Sequence, residues 1–145
     1  QALEGRVSVW FQFDMGGQWN TTPTPVVKIY NTNEIELLSG EIKIAGGVIQ
    51  YYSRLRVYGS WDESAWNVLA ADSRWHQLEV RYKIHATQGY HEVWIDGAPA
   101  HRSAGLNSDV FSGAPAGKLH LGSSLGLREG THANYFVDDV TIEKF

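Results

Sequence analysis

The chain has 145 residues and a mass of 16.2 kDa, which predicts one domain, residues 1–145, built around a single hydrophobic core. The formal net charge of -4 and the pI near 5.8 supply no global basic field, so nucleic acid is not expected as a partner. Cysteine is absent, which excludes a disulfide framework and a thiolate metal site. No apolar run approaches the roughly 18 residues of a membrane span, so membrane insertion is not expected either.

The first strand is predicted at Arg6–Asp14, where apolar and polar residues alternate strictly. The apolar residues share the core face, whereas Trp10 and Gln12 point away from it. Met15–Pro25 contains glycines and prolines and is expected to be a loop. Further short strands, separated by turn residues, are predicted at Val26–Tyr30, Ile35–Leu38, Glu41–Ala45, Val48–Tyr52 and Arg54–Tyr58.

The stretch from Trp75 to Arg102 predicts two long antiparallel strands joined by a polar turn. Gln77–Ile84 alternates with a period of two, so its apolar residues face the core and its charged residues face solvent. The second strand has Val93 and Ile95 inward and ends at Asp96-Gly97, which suits a tight turn. The outward side chains of these two strands include Glu79, Arg81, Lys83, Glu92 and Trp94.

The remaining segments complete an all-β pattern. Gly59–Arg74 is the longest irregular stretch, and Ser103–Gly117 is expected to be a connection. A strand at Lys118–Gly122, a loop at Ser123–Asn134 and a closing strand at Tyr135–Phe145 follow. About ten short strands with closely spaced turns and no helical pattern predict an antiparallel two-sheet β-sandwich, most naturally a jelly roll.

Five pieces of the sequence, in this order, carry a resemblance to a known family: RVSVWFQFD, RWHQLEVRYKI, HEVWIDG, KLHLGSS and ANYFVDDVTI. In combination they resemble the laminin-G-like, concanavalin A-like lectin/glucanase jelly-roll family over nearly the whole chain. The resemblance implies a sandwich with a concave sheet that holds saccharides in many members, and often a structural calcium ion.

In this architecture the outward residues of several strands are expected to share one sheet. Rings and guanidinium groups suit a saccharide, because C–H faces stack on aromatic rings while Arg, Glu and Gln bind hydroxyl groups. The excess of Arg and Lys favours an acidic polysaccharide. The predicted ligand-binding residues are Trp10, Gln12, Arg54, Arg56, Tyr58, Glu79, Arg81, Lys83, Glu92 and Trp94.

Two other functions compete with a non-catalytic lectin-like module. The glucanases of this fold carry Glu-x-Asp-x-x-Glu on one strand, whereas here Glu34 and Glu36 are followed by Ser39, so hydrolysis by that route is not expected. A polysaccharide lyase acting on uronate polymers would use Arg54, Arg56, Tyr58 and Arg81 to neutralise a carboxylate and move protons. A structural or adhesion domain needs no saccharide, since charged pairs also solubilise an exposed sheet.

The closing strand suggests a second site. If Phe136, Val140 and Ile142 face inward, Asp138 shares their face and is a buried carboxylate that needs a partner. Calcium suits such oxygen ligands, and the resemblance supports a calcium site at Asp138 and Asp139 with Glu4 or Asp14 as a companion ligand. A hydrogen-bonded carboxylate at a bulge is the alternative. The six histidines lack the sequence spacing of a zinc centre, so no histidine site is expected.

Taken together, these patterns predict a carbohydrate-binding module of a larger multidomain protein. Its expected place is extracellular, or on the surface of a cell or virion. Its expected partner is an oligosaccharide or polysaccharide.

Overall fold

The fold consists of two antiparallel β-sheets packed face to face. It is described from a computed structural model that covers residues 3–14, 23–108, 116–121 and 135–144. Most of the loop predicted at Met15–Pro25 and all of that predicted at Ser123–Asn134 lie outside these residues. Within the covered ranges, no helix has the length and hydropathy that a membrane crossing requires.

Eleven strands make up the described structure. A five-stranded sheet has the order β11-β1-β7-β8-β9, and a second sheet has the order β10-β2-β3-β4-β5, with β6 also pairing with β4. The all-β, two-sheet prediction is therefore confirmed. The bounds are β1 Leu3–Phe13, β2 Thr24–Asn31, β3 Glu36–Ala45, β4 Val48–Val57, β5 Ser60–Glu63, β6 Asn67–Ala70, β7 Trp75–Ile84, β8 Gly89–Ile95, β9 Ala98–Leu106, β10 Ala116–Leu121 and β11 Tyr135–Lys144.

The hydrophobic core lies between the sheets and is supplied by the apolar phase of each alternating strand. In the five-stranded sheet, Val9 of β1 is opposite Leu78 of β7, and both are fully buried. In the six-stranded sheet, Leu38 of β3 is opposite Leu55 of β4, and both are again fully buried. Because strand side chains alternate, the residues between these positions emerge on the two outer faces.

Two predicted strand breaks are wrong. Ile35–Leu38 and Glu41–Ala45 form the single strand β3, with Gly40 paired to Ser53 in the middle of the ladder. Val48–Tyr52 and Arg54–Tyr58 likewise form the single strand β4, which ends at Val57. Serine and glycine marked turns in the sequence, but here the ladder hydrogen bonds on both sides outweigh their weak strand propensity.

Two segments predicted to be irregular contain strands. Gly59–Arg74 holds β5 and β6, which pair with successive parts of the long strand β4. The connection predicted to begin at Ser103 overlaps β9, which pairs with β8 as far as Leu106. These short or small-residue strands form through pairing with a longer neighbour, which local sequence does not reveal.

The side-chain alternation predicted for the closing strand is also wrong. Asp139 has a positive φ of 46°, and the pairing of β11 with β1 shifts register between Ser8 and Trp10. The bulge reverses the alternation, so Asp138 stands opposite the outward-facing Trp10 and is exposed. The buried carboxylate inferred from the sequence therefore does not exist.

Candidate functional site

The residues predicted to form one saccharide-binding face are divided between two faces. β4 belongs to the six-stranded sheet, whereas β1, β7 and β8 belong to the five-stranded sheet. Arg54 and Arg56 therefore lie on the outer surface of the six-stranded sheet. Tyr58 lies just beyond the end of β4 and is 77% exposed. The prediction of one shared sheet is wrong. The other seven, on the opposite outer face, are Trp10, Gln12, Glu79, Arg81, Lys83, Glu92 and Trp94.

We call the outer surface of the six-stranded sheet the six-stranded face. Its side chains come from the polar phase of β2, β3, β4, β5 and β10, together with a tryptophan that precedes β6. Among them, only the two arginines were predicted from the sequence. The described members are Lys28, Tyr30, Glu36, Glu41, Lys43, Tyr52, Arg54, Arg56, Trp61, Glu63, Trp66, Lys118 and His120.

A network of ion pairs crosses the centre of the six-stranded face. Glu36 accepts hydrogen bonds from Lys28 Nζ at 2.9 Å and from Arg54 Nη2 at 3.2 Å. Arg54 also lies 3.8 Å from Glu41 Oε1, and Arg56 Nε donates to the Glu36 carbonyl oxygen at 2.8 Å. The charged ends of this network are only 16% to 30% exposed, so they are held in position better than ordinary surface charges.

Aromatic rings flank this network and make cation–π contacts with charged side chains of the six-stranded face. The guanidinium carbons of Arg54 and Arg56 lie 4.5 and 4.3 Å from the ring centroid of Trp61. Lys43 Nζ lies 4.0 Å from the ring of Trp66, which also stacks on Tyr52 at 5.0 Å. Such contacts are worth about 0.5 to 2 kcal/mol each and restrict the long side chains. The result is a surface on which cationic side chains are held beside the indole rings of Trp61 and Trp66.

The outer surface of the five-stranded sheet, the five-stranded face, has similar parts but the opposite balance of charge. The guanidinium carbons of Arg81 and Arg102 lie 5.1 and 4.6 Å from the ring centroid of Trp94. On this face, however, carboxylates outnumber cations among the described side chains. The carboxylates are Glu4, Glu79, Glu92, Asp138 and Glu143, against the cations Arg6, Arg81, Lys83 and Arg102.

The ion pairs show the same difference in charge balance between the two faces. On the five-stranded face every cation has a carboxylate within 4 Å: Arg6 with Glu79 and Glu143, Arg81 with Glu79, Lys83 with Glu4, and Arg102 with Glu92. On the described strands of the six-stranded face, five cations (Lys28, Lys43, Arg54, Arg56 and Lys118) stand among three carboxylates (Glu36, Glu41 and Glu63), and Glu34 in the turn before β3 pairs with Lys118. A polyanion is therefore favoured at the six-stranded face and disfavoured at the other.

Tyr52 lies on the six-stranded face two residues before Arg54 on β4. Burial raises the pKa of its hydroxyl group, and the hydrogen bond to Glu63 raises the pKa further. A phenol with a raised pKa is a weaker candidate for a general base at neutral pH. This environment stabilises the protonated form of the Tyr52 hydroxyl.

The four carboxylates predicted to bind calcium are not brought together. Gly5 pairs with Lys144, whereas Trp10 pairs with Asp138, so Glu4 is about 20 Å along the strand from Asp138. Glu4 instead accepts a hydrogen bond from the Tyr90 hydroxyl at 2.7 Å and lies 3.3 Å from Lys83 Nζ. Asp14 follows the far end of β1. The residue set Asp138, Asp139, Glu4 and Asp14 does not fit a single ion.

Asp62, His91 and His101 form a polar cluster that the sequence pattern does not predict. Asp62 Oδ2 lies 3.0 Å from His91 Nδ1 and 3.1 Å from His101 Nε2. The residues come from β5, β8 and β9, so their spacing in the sequence gives no sign of the cluster. One signal was available: His91 has the same strand parity as Val93, which places it inward.

Ser53 extends this cluster into the core. Its hydroxyl oxygen lies 2.9 Å from His91 Nε2, which gives the connectivity of a Ser-His-Asp nucleophile. Ser53 and His91 are both 0% exposed, so a substrate has no path to the hydroxyl group. Burial raises the pKa of Asp62, but its bonds to His91, His101 and Ser103 outweigh burial and lower the pKa to about 2. The cluster is not a nucleophilic active site.

His76 fixes the turn between β8 and β9 to the segment that precedes β7. Its Nδ1 lies 2.8 Å from Asp96 Oδ2 and its Nε2 lies 3.0 Å from Asp72 Oδ1. Burial lowers the pKa of His76, but the hydrogen bonds to these two carboxylates outweigh burial and raise the pKa above 6.5. The protonated ring is thus favoured by folding.

We expect His76→Gln to destabilise the domain more at acidic than at alkaline pH. Since the folded pKa is raised, the contribution of His76 to the free energy of unfolding is fully present below the unfolded value of 6.5 and is lost as the pH rises through the folded value. Urea unfolding of both proteins at about pH 5.5 and about pH 9 measures the difference. An equal difference at both pH values would refute the charged-state contribution.

No protein-family model matches the chain, and no curated protein matches it in sequence. Solved structures do match. One of them, an alginate lyase from Alteromonas sp. 272, superposes with a TM-score of 0.53 at 11% sequence identity, covering 99% of this chain and 72% of that chain. At this identity the likeness establishes the fold alone, a jelly-roll β-sandwich. The more specific laminin-G-like resemblance stays a prediction.

Proposed function

We propose that the domain is a non-catalytic module that binds acidic polysaccharide along the six-stranded face. The observation that carries the proposal is the placement of Arg54 and Arg56 over the ring of Trp61, at 4.5 and 4.3 Å. A sugar ring needs an aromatic platform, and a uronate or sulfate group needs a planar cation beside it. These residues supply both within one cluster.

The restrained positions of the arginine side chains support a role in ligand binding rather than one in solubility alone. Glu36 holds Arg54 from one side, and its carbonyl oxygen holds Arg56, so both guanidinium groups are restrained in the free protein. Binding to restrained groups loses less side-chain entropy, which raises affinity for a ligand of matching shape. Isolated surface pairs without such order contribute about 0 to 1 kcal/mol and carry no such advantage.

A polysaccharide lyase is the alternative function, and the solved alginate lyase of similar fold favours it. The lyase residues predicted from the sequence are not assembled, however, since Arg81 lies on the opposite sheet from Arg54 and Arg56. Lyase chemistry also needs a base to remove a proton from the uronate, and Tyr58, the phenol predicted for this role, lies beyond the end of β4 and is 77% exposed rather than held beside Arg54 and Arg56. The non-catalytic function therefore has the better support.

The full chain should be retained on immobilised polyuronate or sulfated glycan and not on a neutral glucan, with retention decreasing as salt is added. Retention and affinity on the three supports, at low and high salt, measure this directly. In parallel, the soluble polyuronate is monitored for the ultraviolet absorbance of an unsaturated product. Appearance of that absorbance would assign lyase activity. Absence of retention on every glycan would favour a structural or adhesion domain.

The biological setting follows from the same proposal. Acidic polysaccharides occur mainly in cell walls, capsules and extracellular matrices, so a module that binds them would act outside the cell or on the surface of a cell or virion. It would serve there as the targeting part of a larger protein.

A further inference from the structure

The cluster of Asp62, His91 and His101 has the donor atoms and spacing of a metal centre. One oxygen and two imidazole nitrogens converge, with all three atoms within 4.8 Å of one another. In a tetrahedral zinc site with bonds of about 2.0 to 2.1 Å, neighbouring ligand atoms lie about 3.4 Å apart. The Asp62 oxygen lies 3.0 and 3.1 Å from the two nitrogens, so an ion requires only a small expansion.

We propose that Asp62, His91 and His101 bind a divalent transition-metal ion of the zinc class. Two imidazoles and one carboxylate suit zinc and its neighbours, whereas calcium prefers six or more oxygen ligands. A fourth position is available towards solvent, because Asp62 and His101 keep 16% side-chain exposure. Water or the Ser103 hydroxyl, 3.3 Å from His101 Nε2, completes the coordination.

Ser53 supplies the outer contact that metal-binding histidines normally have. With His91 Nδ1 on the ion, the imidazole proton resides on Nε2 and is donated to the Ser53 hydroxyl oxygen 2.9 Å away. This contact fixes both the ring orientation and the tautomer. His91 is 0% exposed, so its ring is held between the sheets before any ion arrives.

The position of the cluster gives the ion a structural role. β9 ends the five-stranded sheet and β5 ends the main path of the six-stranded sheet. Asp62 of β5 is paired with the inward-facing Leu55, and it reaches the histidines of β8 and β9 across the sandwich. An ion here links the edges of the two sheets, so binding to the folded state raises the unfolding temperature.

The test uses the full chain without a histidine tag, stripped by chelator and titrated with Zn²⁺, Co²⁺ or Ca²⁺. We expect one Zn²⁺ per chain, a visible ligand-field spectrum with Co²⁺, and a Tm increase of about 5 to 10 °C at a hundredfold excess of Zn²⁺ over Kd. Calcium should leave the Tm unchanged. His101→Ala should weaken Zn²⁺ binding at least tenfold, and Asp62→Asn provides a second variant if the first does not fold.

His76→Gln is the matched control, since His76 also lies between carboxylates but Asp96 and Asp72 contact opposite ring nitrogens, so the three groups do not converge on one point. It should bind Zn²⁺ as tightly as the parent protein. The proposal is overturned if the parent protein takes up no stoichiometric metal, or if His101→Ala and Asp62→Asn bind Zn²⁺ as the parent does. In either case the cluster is a network of hydrogen bonds alone. Glycan retention is measured separately and does not affect this outcome.

Discussion

Trp61→Ala is expected to weaken binding to polyuronate by about 30-fold or more, with a small change in Tm. In the proposed site the ring contacts the sugar, and it also holds Arg54 and Arg56 in place, so its loss removes two contributions at once. Central aromatic residues of this kind are worth about 2 kcal/mol or more in binding. Calorimetric titration with a polyuronate fragment, together with thermal unfolding, measures both quantities.

Trp94→Ala is the matched control for that experiment. Trp94 is also a strand tryptophan with two guanidinium groups over its ring, but it lies on the negatively charged five-stranded face. Its replacement should change the affinity less than twofold. The reverse pattern, with Trp94 needed and Trp61 dispensable, would move the binding site to the five-stranded face. Arg56→Gln removes one guanidinium charge while leaving the rings of Trp61 and Trp94 in place. This variant should weaken polyuronate binding chiefly at low salt.

Gly40→Ala is expected to lower the free energy of unfolding by about 3 kcal/mol and the Tm by roughly 10 °C. A Cβ atom at Gly40 would meet Tyr51, whose Cε2 and Cζ atoms lie 2.8 Å from it, and the phenol oxygen is closer still. Tyr51 is fully buried, so its ring can move only against packed neighbours. Chemical and thermal unfolding of the variant measure the loss.

The sign of the Gly40→Ala effect identifies its cause. In an uncrowded strand, replacing glycine with alanine should stabilise by about 0.4 to 1 kcal/mol, because the unfolded chain loses freedom. The double variant Gly40→Ala, Tyr51→Leu should recover part of the stability that the single changes lose. If the two losses in free energy of unfolding simply add, the proposed contact between Gly40 and Tyr51 is refuted. Ser39→Ala, in the same strand and equally buried, is the control and should be close to neutral.

Side-chain alternation predicted most of the fold correctly. The pattern in Arg6–Asp14 and Gln77–Ile84 gave strands β1 and β7 with the correct inward residues, because period-two burial is a local property. It did not reveal which sheet each strand joins. β4 and β7 have similar polar faces, yet they lie on opposite sides of the sandwich. Sheet membership depends on long-range pairing, so the predicted single face was divided.

Two other errors have equally specific causes. The positive φ of Asp139 inserts a bulge that reverses the alternation of β11, and aspartate alone does not predict such a conformation. The Asp62, His91 and His101 cluster joins three strands from both sheets, so no spacing rule along one segment could find it. In both cases the decisive information is the register between strands, which a single sequence does not contain.

Mapping of the bound surface by NMR tests the central claim most directly. The amide and indole resonances of the ¹⁵N-labelled full chain are followed during titration with a polyuronate oligosaccharide. We expect saturable shifts at the Trp61 and Trp66 indoles and along Arg54 and Arg56, with Trp10 and Trp94 unchanged. Shifts confined to Trp10 and Trp94, or no shifts at any concentration, would contradict binding at the six-stranded face.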